Sequence, residues 1–197
     1  MKNIERINKT AQDLLSMGQR RRKKLLHEAL SLCDNLREKA ALVLFYVYGP
    51  RPAELMKMRK RDFIILHRND NTRTLKVRLP TVKRGRDREI VLDIEKSAPE
   101  LDYVVRYLDE IHDPEMYIFY GWHDRTNLNH IFRKIRKRTE GRIDWCPYVL
   151  RKFRLSYLFM SGADPSDILI WKGGKSLQSL ETYIKTAPLV KFRELRL

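Results

Sequence analysis

Cysteine is scarce in this chain. Only Cys33 and Cys146 occur in 197 residues, too far apart to make a metal-ligand spacing. Cys33 falls on the apolar side of a helix-like stretch and reads as a reduced core thiol. The five histidines, His27, His67, His112, His123 and His130, form no close cluster, which argues against a structural zinc site. No apolar run approaches the length needed to cross a bilayer, and the N-terminus lacks the apolar core of a secretory signal. The expectation is a soluble, cytoplasmic protein with no membrane partner. Internal repeats and low-complexity segments are also absent. Acidic residues are in deficit: 25 Asp and Glu face 41 Lys and Arg, a net charge of +16.

Such an excess describes partners rather than fold. Lys and Arg that neutralise backbone phosphates drive nucleic-acid binding, so nucleic acid is the leading partner and an anionic membrane surface the second. The length suits one full domain, or one domain plus an arm. Residues 1–20 are polar with scattered apolar positions and read as a short helix, an arm or a linker. Arg20 to Lys24 is a basic run at the mouth of the next helix, either solvated or a DNA-backbone contact.

Leu25, Leu26, Ala29, Leu30 and Cys33 then recur at helical spacing. Asp34 is placed to cap a second helix that is apolar nearly all round, from Leu36 through Val47, and therefore buried. Gly49-Pro50 ends it, and Pro52 begins a short helix with Glu54 and Leu55. Three β-like runs follow at 62–67, 73–79 and 88–93, separated by turn residues, which predicts a small antiparallel meander. Beyond residue 95 the pattern is helical. Pro99 opens one helix, Asp124 caps another that Gly141 ends, and Gly162 stops a third over about 148–161. Asp164-Pro165 opens the next, and a further helix is expected over about 176–185, with Pro188 starting the last. The helix after Asp124 has a second face of Arg133, Lys134, Arg136, Lys137 and Arg138, either solvated or touching phosphate. The fold class is mainly α with one small three-stranded antiparallel sheet, α+β.

Chemistry is concentrated in a few positions. Arg51 follows the buried helix and precedes Glu54, whose carboxylate could hold the guanidinium by a paired contact. A guanidinium held in place can clamp phosphate through two parallel hydrogen bonds, which lysine cannot. Arg151 lies on an amphipathic helix, Lys83 in a basic hairpin turn, and Tyr183 near the C-terminus. Two guanidiniums, an ammonium and a phenol could together cleave a phosphodiester without a metal. Each signal is weak alone; their order carries the argument.

That order resembles the tyrosine recombinase, or phage-type integrase, family, whose covalent catalysis type IB topoisomerases share. Three stretches carry the resemblance. Tyr48-Gly49-Pro50-Arg51-Pro52-Ala53-Glu54-Leu55 looks like the family's Gly-x-Arg-x-x-Glu-Leu box. Tyr148-Val149-Leu150-Arg151, followed by Gly162-Ala163-Asp164, looks like its His-x-Leu-Arg box. Trp171-Lys172-Gly173-Gly174-Lys175-Ser176 through Thr182-Tyr183 looks like the Leu-Gly-His-x-Ser…Thr-x-x-Tyr ending. Thr81-Val82-Lys83 through Ile90-Val91-Leu92 resembles the hairpin lysine segment.

The resemblance implies that residues 21–186 form a DNA breaking-rejoining domain. Arg51 and Arg151 would bind the scissile phosphate, Tyr183 would attack it to form a 3′-phosphotyrosyl link, and Lys83 would protonate the departing 5′-oxygen. It implies no cofactor and no metal. Implied partners are double-stranded DNA at a specific site and further copies of the chain, a homotetramer in synapsis with a monomer allowed when free. Residues 187–197 would dock on a neighbouring protomer or pack on their own domain. Tyr148 stands where the family has histidine, a variant that some archaeal plasmid and virus integrases resemble. Gly174 stands where His or Trp is usual, so either Lys172 or Lys175 would supply the donor or the contact is missing. Lys152 replaces a common histidine after the second arginine. Most members carry a separate core-binding domain ahead of the catalytic one, so the chain reads as an excised catalytic domain or a short recombinase of a mobile element. A non-catalytic DNA-binding relative, a basic RNA-binding domain and a topoisomerase-like enzyme are the alternatives.

Overall fold

The computed structural model describes residues 2–81, 87–122 and 126–186. In chain order its helices are α1 (Lys2–Ser16), α2 (Gln19–Ser31), α3 (Leu36–Tyr48), α4 (Pro52–Leu55), α5 (Ile94–Ser97), α6 (Asp102–Asp109), α7 (Thr126–Arg138), α8 (Pro147–Met160), α9 (Pro165–Lys172) and α10 (Glu181–Ile184). Strands β1 (Phe63–His67), β2 (Arg73–Leu79) and β3 (Arg88–Asp93) lie between α4 and α5. Among the described residues no helix is long and apolar enough to cross a membrane.

The axis of the molecule is α3. Ala40 through Phe45, Val47 and Tyr48 are all buried, as an all-round apolar helix requires. Helices α6 and α8 pack against it, and α1 packs on α8. Each buried Leu, Val or Phe on this axis contributes about 1.5–3 kcal/mol relative to exposure. The stretch 1–20, left between helix and linker by its sequence, contains α1, and Ala11, Leu14 and Leu15 join the core.

Capping differs from expectation at one point. Asn35, not Asp34, caps α3: its side chain accepts from the Glu38 amide at 2.9 Å, while the Asp34 amide donates back to Glu38 Oε2 at 3.0 Å. The two donors are satisfied reciprocally, one residue later than the composition suggested. Asp124, the expected cap of α7, lies outside the described residues.

The sheet is an antiparallel meander in the order β1-β2-β3, within one residue of the expected runs. Val77 pairs with Phe63 and with Ile90, and Leu79 with Arg88. Leu75, Val77, Leu79 and Ile90 face the core. Period-two alternation therefore places Arg88 on the inward face with Ile90. The single helix expected over about 176–185 is instead a 3-10 turn at Leu177–Leu180 followed by the four residues of α10. Leu180 packs with Leu155 and Ile168 in a small second cluster, and Tyr183 rests against it.

Candidate active site

Helix α3 ends on Gly49, in the left-handed region at φ 59°. Glycine is required there twice over. A Cβ would sit 3.2 Å from the Cα of Arg151 and 3.3 Å from the Cβ of Arg154, so α8 would have to give way by a few tenths of an ångström. The close approach of α8 lets Arg151 Nη1 donate to the Gly49 carbonyl at 2.6 Å. Arg151 Nη2 donates to the Lys172 carbonyl at the end of α9, at 2.9 Å. Both acceptors are carbonyls at helix C-termini, the negative ends of the helix dipoles, and they favour a buried cation.

Arg51 is the residue before α4. Its amide donates to Glu54 Oε2 at 2.6 Å and its Nη1 to Glu54 Oε1 at 2.5 Å. Nη1 also lies 3.5 Å from the Lys172 carbonyl. The pairing of Arg51 with Glu54 that three-residue spacing suggested is thus present. Glu54 is fully buried and accepts as well from Arg88, Nη2 at 2.7 Å and Nη1 at 3.2 Å, with Arg151 Nη1 at 3.9 Å. One carboxylate therefore serves three arginines.

Arg88 is the residue that motif reasoning missed. It lies inside the hairpin lysine segment but was given no role there, and the available signal was its inward register on β3. Burial alone would raise the Glu54 pKa. Hydrogen bonding and charge from Arg88, the Arg51 amide and the charge of Arg151 outweigh burial and hold it below the ordinary carboxylate value. Burial pushes Arg151 down. Tyr183 and Glu54 oppose that shift, and Arg51 and Arg88 add to it.

Tyr183 reaches this cluster from α10. Its carbonyl accepts from Ser156 Oγ at 3.0 Å, and Lys152 Nζ donates to the neighbouring Thr182 carbonyl. Two lysines flank the ring: Lys152 Nζ is 4.9 Å and Lys172 Nζ 5.6 Å from its centroid. Burial lowers Lys152 to about 8. Burial, then Arg151 and Arg51, lower Lys172 to about 8. Lys172 Nζ donates to the Ser179 carbonyl at 2.7 Å and lies 3.6 Å from where a Cβ on Gly174 would stand. A side chain at 174 would meet Leu169 Cδ1 first, at 2.8 Å, with Lys172 Nζ beside it.

The structure brings Arg51, Glu54, Arg151, Lys172 and Tyr183 together. Tyr148 is half exposed on the first turn of α8, three residues ahead of Arg151. Lys175 is exposed on a cleft of about 490 Å³ that Arg88, Gly173 and Gly174 also line. Lys83 lies outside the described residues, as does the segment 187–197.

Trp171 locks the floor of the site. Its Nε1 donates to the Tyr48 carbonyl at 2.8 Å, and its ring stacks on Tyr48 at 6.3 Å. The arrangement can hold an anion against at least two guanidiniums with a phenol beside it.

No curated protein matches the sequence. The solved structures it resembles include XerA recombinase, at TM-score 0.62 and 18% identity over 89% of this chain and 58% of that one. XerH site-specific recombinase, bound to difH substrate in a pre-cleavage complex, gives 0.63 and 14% over 85% and 49%. The Tn1549 transposon integrase, in complex with transposon right end DNA, gives 0.55 and 14% over 85% and 60%. At these identities the likeness shows the fold, and this chain spans about half to three-fifths of each of those proteins. The phage integrase family model matches residues 16–189, a span that holds Arg51, Arg151 and Tyr183, and the chain belongs to that family.

Proposed function

We propose that this chain is the catalytic domain of a site-specific DNA recombinase of the tyrosine type. One observation carries the reading: buried positive charge in excess of its partners beside a tyrosine. Three arginines share the Glu54 carboxylate, and Lys172 adds a fourth cation next to the Tyr183 ring. Uncompensated buried cations are costly. A site of this kind suits a phosphodiester whose charge grows as it becomes five-coordinate, and a single well-placed donor there is worth about 10²–10³ in rate.

In the proposed step the Tyr183 oxygen attacks phosphorus, forming an O–P bond as the bond from phosphorus to the 5′-oxygen breaks. Arg51 and Arg151 hold the non-bridging oxygens, with Tyr148 as a further donor from the surface. Lys172 supplies the contact that Gly174 lacks, with Lys175 at the rim. The phenolic proton has Lys152 beside it, an amine that burial lowers to about 8 and that accepts the proton in its neutral form. Lys83 gives a proton to the 5′-oxygen. The 3′-phosphotyrosyl link conserves the bond energy, and attack by a 5′-hydroxyl reverses the step.

The partner is duplex DNA at a specific site. Strand exchange runs through a Holliday junction in a homotetramer, with residues 187–197 docked on the next protomer. XerH is seen bound to difH substrate and the Tn1549 integrase in complex with transposon right end DNA, which supports the choice of ligand.

The test uses nicked duplexes with a randomised central segment, incubated without metal at several salt concentrations and resolved on a denaturing gel. A covalent protein–DNA adduct is expected from the native chain and none from Tyr183→Phe. Equal DNA binding by both proteins with no adduct from either would favour a non-catalytic DNA-binding relative.

A further inference from the structure

Arg88 is buried more deeply than either phosphate-facing arginine, with a side chain 2% exposed against 28% for Arg51 and 7% for Arg151. Its two terminal nitrogens bind the two oxygens of Glu54 in a fork, the geometry that fixes a carboxylate in direction as well as position. The other hold on Glu54 comes from Arg51, three residues away on the same turn, and would move with it. Among the described residues Arg88 ties the carboxylate to a different element, the first residue of β3, by direct hydrogen bonds, while Arg151 on α8 stands 3.9 Å away.

A second contact reaches the same pair of arginines by another route. A Cβ on Gly173 would lie 2.7 Å from Arg88 Nη1, so the guanidinium lies close against the backbone at the end of α9. The preceding carbonyl, Lys172, is the acceptor for Arg151 and lies within reach of Arg51. Arg88 thus touches both groups that aim the two arginines: the Glu54 carboxylate and the Lys172–Gly173 backbone.

A purely stabilising role fits poorly. An apolar pair of the same volume commonly serves stability as well as a buried ion pair does. Arg88 also carries a buried Nε with no acceptor among the described residues, a cost that an apolar side chain would not bring.

We propose that Arg88 is a positioning residue: it sets Glu54 and the Lys172–Gly173 turn, and through them the directions of Arg51 and Arg151, without touching the substrate. The proposal rests on the recombinase reading of the same site. It deepens that reading by adding a residue that acts on the phosphate side of the reaction rather than on the leaving group.

Arg88→Met and Arg88→Lys test it. Lysine keeps the buried charge but lacks the fork, and supplies the readout where the methionine variant is too unstable to assay. The first arm uses no DNA. Inorganic phosphate binding to the folded proteins, followed by NMR of the arginine side chains, is expected to weaken by about tenfold or more in both variants. In the second arm, at saturating nicked duplex, adduct formation per folded molecule is expected to slow by about 10²-fold, with half-saturating DNA changed less than about threefold.

The third arm replaces the 5′-bridging oxygen with sulfur, which departs without a proton. Sulfur should rescue Lys83→Ala and leave the Arg88 variants slow. Full rescue of activity by lysine, native phosphate affinity in the folded variants, or rescue by sulfur would each overturn the proposal. A native protein that binds phosphate but forms no adduct would count against the recombinase reading alone, because the first arm still reads Arg88.

Discussion

Helix α3 has a cluster of charges at each end, and the two are built on opposite balances. At its N-terminus Lys134 Nζ sits 2.7 Å from Asp34 and 2.7 Å from Glu38, one cation between two carboxylates. Asp34 is well exposed, and both acids lie at the positive end of the helix dipole. About 20 Å away along the helix, the C-terminal cluster reverses the count, with one buried carboxylate among three arginines. The first cluster is complete within the chain. The second offsets part of its surplus with the carbonyls of Gly49 and Lys172 and leaves the rest for an anion. Two ion clusters of similar geometry thus differ in purpose, and the sign of the imbalance distinguishes them.

The sharpest way to break this comparison is to remove the shared carboxylate. Glu54→Leu leaves three cations without their partner and is expected to cost about 3–5 kcal/mol, roughly 10 °C in Tm for a domain of this size. A variant with the native melting point, measured by calorimetry, would mean that the C-terminal cluster needs no compensation.

Lys172→Met should act in the other direction, by taking one cation out of the surplus. The folded pKa of Lys172, about 8, lies below its ordinary 10.5, so between those values the unfolded chain binds more protons. The native protein therefore gains stability from this group as pH rises across that window, and its burial is most costly below pH 8. The variant should melt higher by on the order of a few degrees at pH 7, and the advantage should shrink towards pH 10.5. A difference in Tm that does not vary between pH 7 and 10.5 would show that folding leaves the Lys172 pKa at its ordinary value.

At the other end of α3 the effects are smaller. Asn35→Ala removes the cap to the Glu38 amide and should cost about 1 kcal/mol by denaturant titration. Lys134→Met disrupts a half-open cluster and should cost about 1 kcal/mol or less. Neither change should alter adduct formation per folded molecule. A loss of cleavage from Lys134→Met would join the two ends functionally and erase the distinction.

Much of this was legible in the order of residues, for local reasons. The nearly all-round apolar stretch after Leu36 pointed to a buried helix, and the β-like runs at 73–79 and 88–93, set apart by turn residues, pointed to paired strands. Asp164-Pro165 marks the start of α9 because capping and the proline φ act within one turn. The order of the motifs also pointed to Arg51, Arg151 and Tyr183 as members of one site. The α3 cap was missed by one residue because Asp34 and Asn35 are equally good caps by type, and the choice rests on which side chain faces the Glu38 amide. The break between Leu180 and Glu181 follows from Leu180 turning into the pocket with Leu155 and Ile168, a contact with no local signature.

Sequence by itself determined which segments are helix and strand, because capping, periodicity and side-chain shape operate over a few neighbouring residues. It also determined the family, through short boxes whose order survives in the chain. Only the tertiary structure decided the charge state of the site. Glu54 and Arg88 are 34 residues apart, and Arg151 and Lys172 join them from two further helices. Electrostatic energy depends on distance and on exclusion from water, and neither exists until those segments pack against one another.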